Sequence, residues 1–351
     1  MDFAAELITW YRRNKRNLPW RGTNDPYKVW LSEIILQQTR VDQGMAYYHA
    51  FTEKYPTVHD LARASEDQVL KTWEGLGYYS RARNLHFTAK KIVNELNGKF
   101  PDTHAGLLGL KGVGDYTASA ISSICFGEAQ PVVDGNVYRF LSRHFGIKTP
   151  IDSTPGRKEF RSVAGQLITP ENPGEFNQAM MEFGARQCKP VNPDCEVCVF
   201  RLSCVALKKK LVAQLPVKEK KTKVTDRFFT YLVIRNGAYT FIRQRTEKGI
   251  WQGLFEFPLT EGKTEGGEKR AAVWKKVIGD VPLKIRAVSE EHIHILSHQK
   301  LHIRFAMAEI SGSVKPGNGF QRVKINELKN YAFPVILKKN LAVLFPEVRE
   351  H

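Results

Sequence analysis

The chain has 351 residues, 42% of them hydrophobic, and a formal net charge of +17 from 53 Lys and Arg against 36 Asp and Glu. That length suits one large domain or two ordinary ones with their own cores, and the excess of positive charge points to a polyanionic partner. No stretch approaches the roughly 18 apolar residues of a transmembrane helix, so none is expected, and the start Met1–Glu6 lacks a basic region before an apolar core, so a cytoplasmic, nucleoid-associated protein is expected rather than a secreted one.

Residues 1 to about 206 read as helical. Phe3, Leu7, Trp10 and Tyr11 recur at helical spacing. Ser65 with Gln68 three residues on makes a capping box for a helix through Val69 and Trp73. Leu85, Ala89, Ile92, Val93 and Leu96 mark the next helix, closed by Gly98 and Pro101. Leu107–Ala118 then joins two predicted helices through a tight turn. Gly112 and Gly114 lack Cβ, so the backbone there can turn sharply and approach a ligand. Val113 can plug the turn into the core, leaving the N–H groups that open the second helix as an anion site. A phosphodiester fits a chain this basic. Ordinary interhelical turns also use glycine, but the apolar flanks favour a helix–hairpin–helix over about 103–125. Some twenty residues on, Asp134 occupies an N-cap position before a helix carrying Val137, Phe140 and Leu141, which places a carboxylate near the site with Asn136 in support.

Four of the five cysteines follow as Cys188-x6-Cys195-x2-Cys198-x5-Cys204. Four thiolates suit zinc or an iron–sulfur cluster, and spacing alone does not choose between them. Disulfides are disfavoured in a large chain without a secretory signal. Cys125, in the apolar run Ile121–Phe126, reads as a buried inert thiol. Residues 207–226 gather lysines around Pro216 and read as a solvated basic linker that can also touch phosphate. Beyond it the period switches toward two. Strands at Phe228–Ile234 and Tyr239–Arg243 flank Asn236-Gly237, a type I′ hairpin signal. A helix over Ala271–Ile278 and a strand over His302–Ile310 complete a separate α+β domain at 227–351.

These features together resemble the helix–hairpin–helix DNA glycosylase superfamily and, more narrowly, its MutY-type adenine DNA glycosylases. Trp30–Val41 resembles that family's helix bearing the catalytic glutamate, Gly75–Arg83 its next signature, and Phe176–Gly184 the lead into its cysteines. The resemblance implies an all-α glycosylase domain with an iron–sulfur module (loop 188–204) and a C-terminal Nudix-like lesion-recognition domain. It also implies a [4Fe–4S] cluster held by Cys188, Cys195, Cys198 and Cys204, and a monomer acting on double-stranded DNA with an 8-oxoguanine:adenine or guanine:adenine mispair.

The same resemblance assigns roles. Glu33 would protonate the leaving adenine, its pKa raised by an apolar setting. Asp134 would oppose the oxocarbenium-like sugar as electrostatic partner or transient nucleophile. Asn136 and Tyr116 would orient these acids. In the related endonuclease III branch a lysine stands at the position of Tyr116 and attacks the sugar; a tyrosine has no amine, so base release without strand cleavage is expected. The target adenine must leave the stack. Gln38 and Tyr78 match the positions that wedge into the gap, and Trp20, Arg21 and Gln178 those around the flipped base. Trp251–Pro258 supports the Nudix-like assignment, while Gly267–Val273 lacks the carboxylate cluster of Nudix hydrolases, so recognition without pyrophosphate hydrolysis is expected. Ser297 and His298 sit where the family places its lesion loop, with Leu296 where many members have an aromatic. The even spacing of His292, His294, His298 and His302 would also arise from one strand face.

Overall fold

The computed structural model describes residues 2–219, 224–263, 279, 283–310, 314, 316–317 and 319–348. The predicted helix Ala271–Ile278 and the segment Gly267–Val273 lie outside the described residues. The chain forms two compact units, Met1–Arg63 with Asn84–Lys221, and Ala64–Arg83 with Thr222–His351. The segment Ala64–Arg83, expected within the helical domain, thus groups with the C-terminal half.

The first unit is helical. Its elements are α1 (Phe3–Asn14), α2 (Pro26–Leu36), α3 (Val41–Lys54) and α4 (Val58–Arg63). After α5 (Glu66–Thr72), which belongs to the second unit, come α6 (Ser80–Glu95), α7 (His104–Leu108), α8 (Asp115–Phe126), α9 (Gly135–Phe145), α10 (Thr154–Leu167), α11 (Pro173–Arg186) and the short α12 (Val205–Lys208). Asp2 caps α1 by accepting from the N–H groups of Ala4 and Ala5, and the helix buries Leu7, Trp10 and Tyr11. That face packs with Phe140, Phe160, Phe176, Phe183 and Phe200 in one apolar cluster built on α1, α9, α10 and α11. Asp25 caps α2 and Pro26 opens it, as suits a residue with no N–H to leave unpaired. Val29 through Ile35 are all buried, so α2 is a central helix with core on every side.

The expected solvated linker is only partly one. Leu215 is buried, Ile151 N–H donates to Val217 O at 3.0 Å, and Arg143 Nε donates to Leu215 O at 3.1 Å. Apolar residues spaced among the lysines dock the stretch around 211–217 onto the first unit.

In the second unit the capping box of α5 is present, with Ser65 and Gln68 each satisfying the other's backbone N–H. The strands are β1 (Thr225–Arg235), β2 (Tyr239–Gln244), β3 (Phe255–Glu256), β4 (Leu259–Glu261), β5 (Lys284–Val288), β6 (His292–Ile295), β7 (Gln299–Glu309) and β8 (Gln321–Lys324). One sheet runs β4-β1-β7-β5 with β6 also paired to β7, and a second runs β3-β2-β8. The long β1 and β7 are parallel. Leu232, Ile234, Phe241, Ala306 and Ala308 form a core between the two sheets.

Two strand expectations need correction. The β1–β2 turn is centred on Gly237 and Ala238, closed by Asn236 and Tyr239 exchanging N–H···O bonds of 2.9 and 3.1 Å. Gly237 has φ +58° and Ala238 does not share a positive φ, which is the type II′ pattern rather than I′. Past that isolated bridge the strands enter different sheets. Strand β7 starts at Gln299, three residues before the expected His302, because the antiparallel pairing with β6 extends it. The evenly spaced histidines therefore lie on two strands and the turn between them, not on one strand face.

Candidate active site

The first unit holds a cavity lined by residues from five helices and the loops between them. Glu33 comes from α2, Tyr116 from the first turn of α8, Asp134 and Asn136 from the start of α9, and Gln178, Met181 and Glu182 from α11, while Trp20 and Arg21 come from the loop before α2. The seven predicted catalytic and base-pocket residues are thus brought together.

Glu33 is 9% exposed, and burial pushes its carboxyl up to about 7; its hydrogen bond with Tyr116 opposes the rise, and the charge of Asp134 adds to it. Asp134 has a different setting. One oxygen accepts from Asn136 N–H at 2.9 Å and Val137 N–H at 2.8 Å, the other from Asn136 Nδ2 at 2.7 Å. Burial raises this carboxyl too, while those three donors pull it down. Both carboxyls are shifted upward on balance, but the charged form of Asp134 meets three donors where that of Glu33 has the hydrogen bond with Tyr116.

Three further residues hold the site and were not singled out from sequence. Glu182 is fully buried; it pairs with Arg16 and Arg21, each at 2.6 Å, and those guanidinium bonds hold its carboxyl down to about 2 against the effect of burial. This fixes the loop carrying Trp20, whose ring meets Tyr48 edge-on at 5.1 Å. Asn177 is 1% exposed; its Oδ1 accepts from Val132 N–H at 3.0 Å and its Nδ2 donates to Ser123 Oγ and Gln130 O at 2.9 and 2.8 Å, fastening the strand-like lead into Asp134. Arg139 Nη2 donates to Asn136 Oδ1 at 2.9 Å, and its Nε donates to Cys188 O at 2.8 Å. A glutamate and an asparagine on the mostly apolar α11 were the signal available in the sequence.

The hairpin lies between α7 and α8. Gly112 has φ +82°, and a Cβ there would sit 2.8 Å from Asn84 Cβ, so both backbone and space require glycine. Val113 is buried and Gly114 caps α8. Gln38 is exposed just beyond α2 with a left-handed φ of +55°.

Tyr78, Ser297 and His298 line a separate cavity in the second unit, together with Arg83, Trp251 and His294. Tyr78 is 42% exposed with φ +48°. Ser297 and His298 form the turn between β6 and β7, closed by Leu296 N–H donating to Gln299 O at 2.8 Å, with Ser297 Oγ 3.1 Å from His298 Nδ1.

The four spaced cysteines form no disulfide and line one cavity with Phe140, Phe183 and Phe200. Arg143, 3% exposed, sits beside them with Nη1 3.6 Å from Cys188 Sγ. Among the described residues, no three of His, Cys, Asp and Glu are arranged to grip a single metal ion. Cys125 is half-buried rather than buried; burial still pushes its thiol up to about 12, which keeps it protonated and unreactive. No helix among the described residues is long and apolar enough to cross a membrane.

Residues 31–164 match the family model described as HhH-GPD superfamily base excision DNA repair protein, and residues 230–343 match a NUDIX domain, which places the fold among the base-excision glycosylases. Over 59% of this chain the fold is similar to a thermostable thymine-DNA glycosylase, 29% identical with a TM-score of 0.55 and 95% of that chain covered. The chain belongs to the adenine DNA glycosylases. It is 36% identical over 304 residues to the adenine DNA glycosylase of Buchnera aphidicola subsp. Schizaphis graminum, covering 86% of each chain. It is 34% identical over 356 residues to the human adenine DNA glycosylase, covering 85% of this chain and 65% of that one. It is therefore an enzyme of base excision repair that removes adenine from DNA.

Proposed function

We propose that the enzyme releases adenine paired with 8-oxoguanine or guanine by monofunctional chemistry. The observation that carries this reading is the cavity that holds Glu33 and Asp134 together, with no lysine among its described lining residues. Glu33, protonated near neutrality, gives its proton to N7 of an extruded adenine. The C1′–N9 bond breaks with its electron pair leaving on the base. The carboxylate of Asp134, fixed by its three donors, faces the sugar cation. Water adds at C1′ and returns a proton to Glu33, leaving an abasic site. Without an amine to form a Schiff base, the strand stays intact. Trp20, Arg21 and Gln178 enclose the base; Gln38 and Tyr78 fill the vacated stack; Ser297 and His298 read the opposite base; the Gly112–Gly114 turn binds phosphate.

The donor set of Cys188, Cys195, Cys198 and Cys204 fits a [4Fe–4S] cluster. Four cysteine sulfurs on one cavity, beside the Arg143 guanidinium, supply a ligand for each corner iron, and the resemblance to the cluster-bearing glycosylases favours that group over zinc. Bound there, the cluster would supply four iron–sulfur links that cross-brace the loop. The Arg143 guanidinium balances thiolate charge.

A single-turnover assay on a labelled duplex with adenine opposite 8-oxoguanine tests the reading. Strand cleavage only after alkali is expected. Cleavage without alkali would overturn the monofunctional assignment, and equal rates opposite 8-oxoguanine and cytosine would overturn the mispair.

A further inference from the structure

The turn Gly75–Tyr79 is gripped by residues from the far end of the chain. Glu74, immediately before it, has a side chain 3% exposed. One carboxylate oxygen receives the ammonium groups of Lys71 and Lys338, both at 2.8 Å, and the other accepts Phe333 N–H at 2.9 Å. Lys71 Nζ donates as well to Tyr331 O at 3.0 Å. After the turn, Arg83 donates to the Gln252 carbonyl and to its Oε1. Before it, Asp67 accepts from Gln244 Nε2 at 2.7 Å, and Gly253 comes so near α5 that a Cβ would lie 2.9 Å from Leu70 Cδ1. Inside the turn, Trp73 Nε1 and Arg81 Nη2 both donate to Gly77 O, and Tyr79 Oη accepts from Gly75 N–H. Tyr78 at φ +48° is an L residue in a conformation that persists only where the surroundings impose it.

The grip is electrostatic at its tightest point. Removing the Glu74 carboxylate would take away the acceptor that Lys71, Lys338 and the buried Phe333 N–H share, and a buried donor left without its acceptor is costly. We propose that Glu74 is a positioning residue for base extrusion: it clamps the turn presenting Tyr78 to the C-terminal unit, so that this unit shapes the wedge entering the duplex as well as reading the opposite base. This rests on the reading of Tyr78 as the wedge.

The test uses the full chain and a duplex carrying 2-aminopurine beside the target adenine, whose fluorescence rises when the stack opens. Glu74→Ala should lower the extrusion signal and the single-turnover rate about tenfold, the scale of a lost charged hydrogen bond. The rate should recover to within about twofold when the flanking pairs are mismatched and unstacking costs little. Glu74→Gln, which can still accept from Phe333, should fall between. Equal slowing on both duplexes would mean general loss of stability and overturn the proposal, as would an unchanged extrusion signal in Glu74→Ala when Tyr78→Ala abolishes it. A Tyr78→Ala enzyme that extrudes normally would instead remove the wedge reading, and this proposal with it.

Discussion

The two cavities are built from opposite materials. In the first unit the proposed reacting groups are buried on helix starts and helix interiors, and each is held by several fixed partners. Glu33 lies on a helix with core on every side, and Asp134 is met by three donors. In the second unit the proposed reading groups, Ser297 and His298, sit on a hairpin turn, with few side-chain bonds of their own. Chemistry needs a shifted proton affinity, which desolvation, fixed charges and hydrogen bonds supply. Reading a base edge needs donors and acceptors that water has already kept free. A change in the first cavity should therefore be large and pH-dependent, and one at the Ser297–His298 turn of the second small and confined to specificity.

The largest contrast is expected from Glu33→Gln. It should lower base release by roughly 10³-fold while duplex affinity in a gel shift changes little. In the parent enzyme, release should decline as pH rises through about 7, where Glu33 loses its proton. Stability carries the same sign. The folded state holds this proton more tightly than the unfolded chain does, so the contribution is full below about 4.5 and lost as pH rises through about 7. Glu33→Gln should consequently be more stable than the parent at pH 8, on the order of 3 kcal/mol in urea unfolding. A glutamine variant no more stable than the parent at pH 8 would break the picture of a strained acid.

Next in size is Glu182→Gln, which leaves Arg16 and Arg21 converging on a buried amide. About 3 kcal/mol of stability should be lost in the same unfolding assay. Gly112→Ala should cost less, about 1–2 kcal/mol, because a left-handed turn and the side chain of Asn84 both resist a Cβ. Its signature is weaker duplex binding with no change in the rate of bound enzyme. The smallest effect belongs to the second unit. Ser297→Ala should reduce the ratio of rates opposite 8-oxoguanine and guanine by about fivefold, near 1 kcal/mol, with little change in melting temperature. A Ser297→Ala enzyme with a lower melting point and an unchanged ratio would erase the contrast between the two cavities.

Much of this was legible in sequence because it is local. Helix periodicity, the capping box at Ser65 and the N-cap at Asp134 each involve residues a few positions apart. The errors were local as well. In the β1–β2 loop the glycine was found, but the turn lies one residue further on, since pairing of Asn236 with Tyr239 decides the register. The lysines around Pro216 masked Leu215, which a charge count reads as solvent. What sequence could not show is long-range allegiance. Lys71 bonds to a carbonyl 260 positions away and Arg83 to one 169 away, so nothing near α5 announces that it belongs with the C-terminal half. Glu182 and Asn177 were missed for a related reason: their partners come from Arg16, Arg21 and Gln130, on separate segments.

Gly184 on α11 shows where such long-range dependence leads. A Cβ there would lie 2.5 Å from the carbonyl oxygen of Asn136. The position is not among the residues lining the cavity and bears no charge, yet one methyl group would push against the residue that holds Asp134. In a population of variant chains, damage at Gly184 would register as a lost acid pair in a protein whose acids are intact. Inheritance of the activity thus depends on a hydrogen atom as firmly as on the carboxylates themselves.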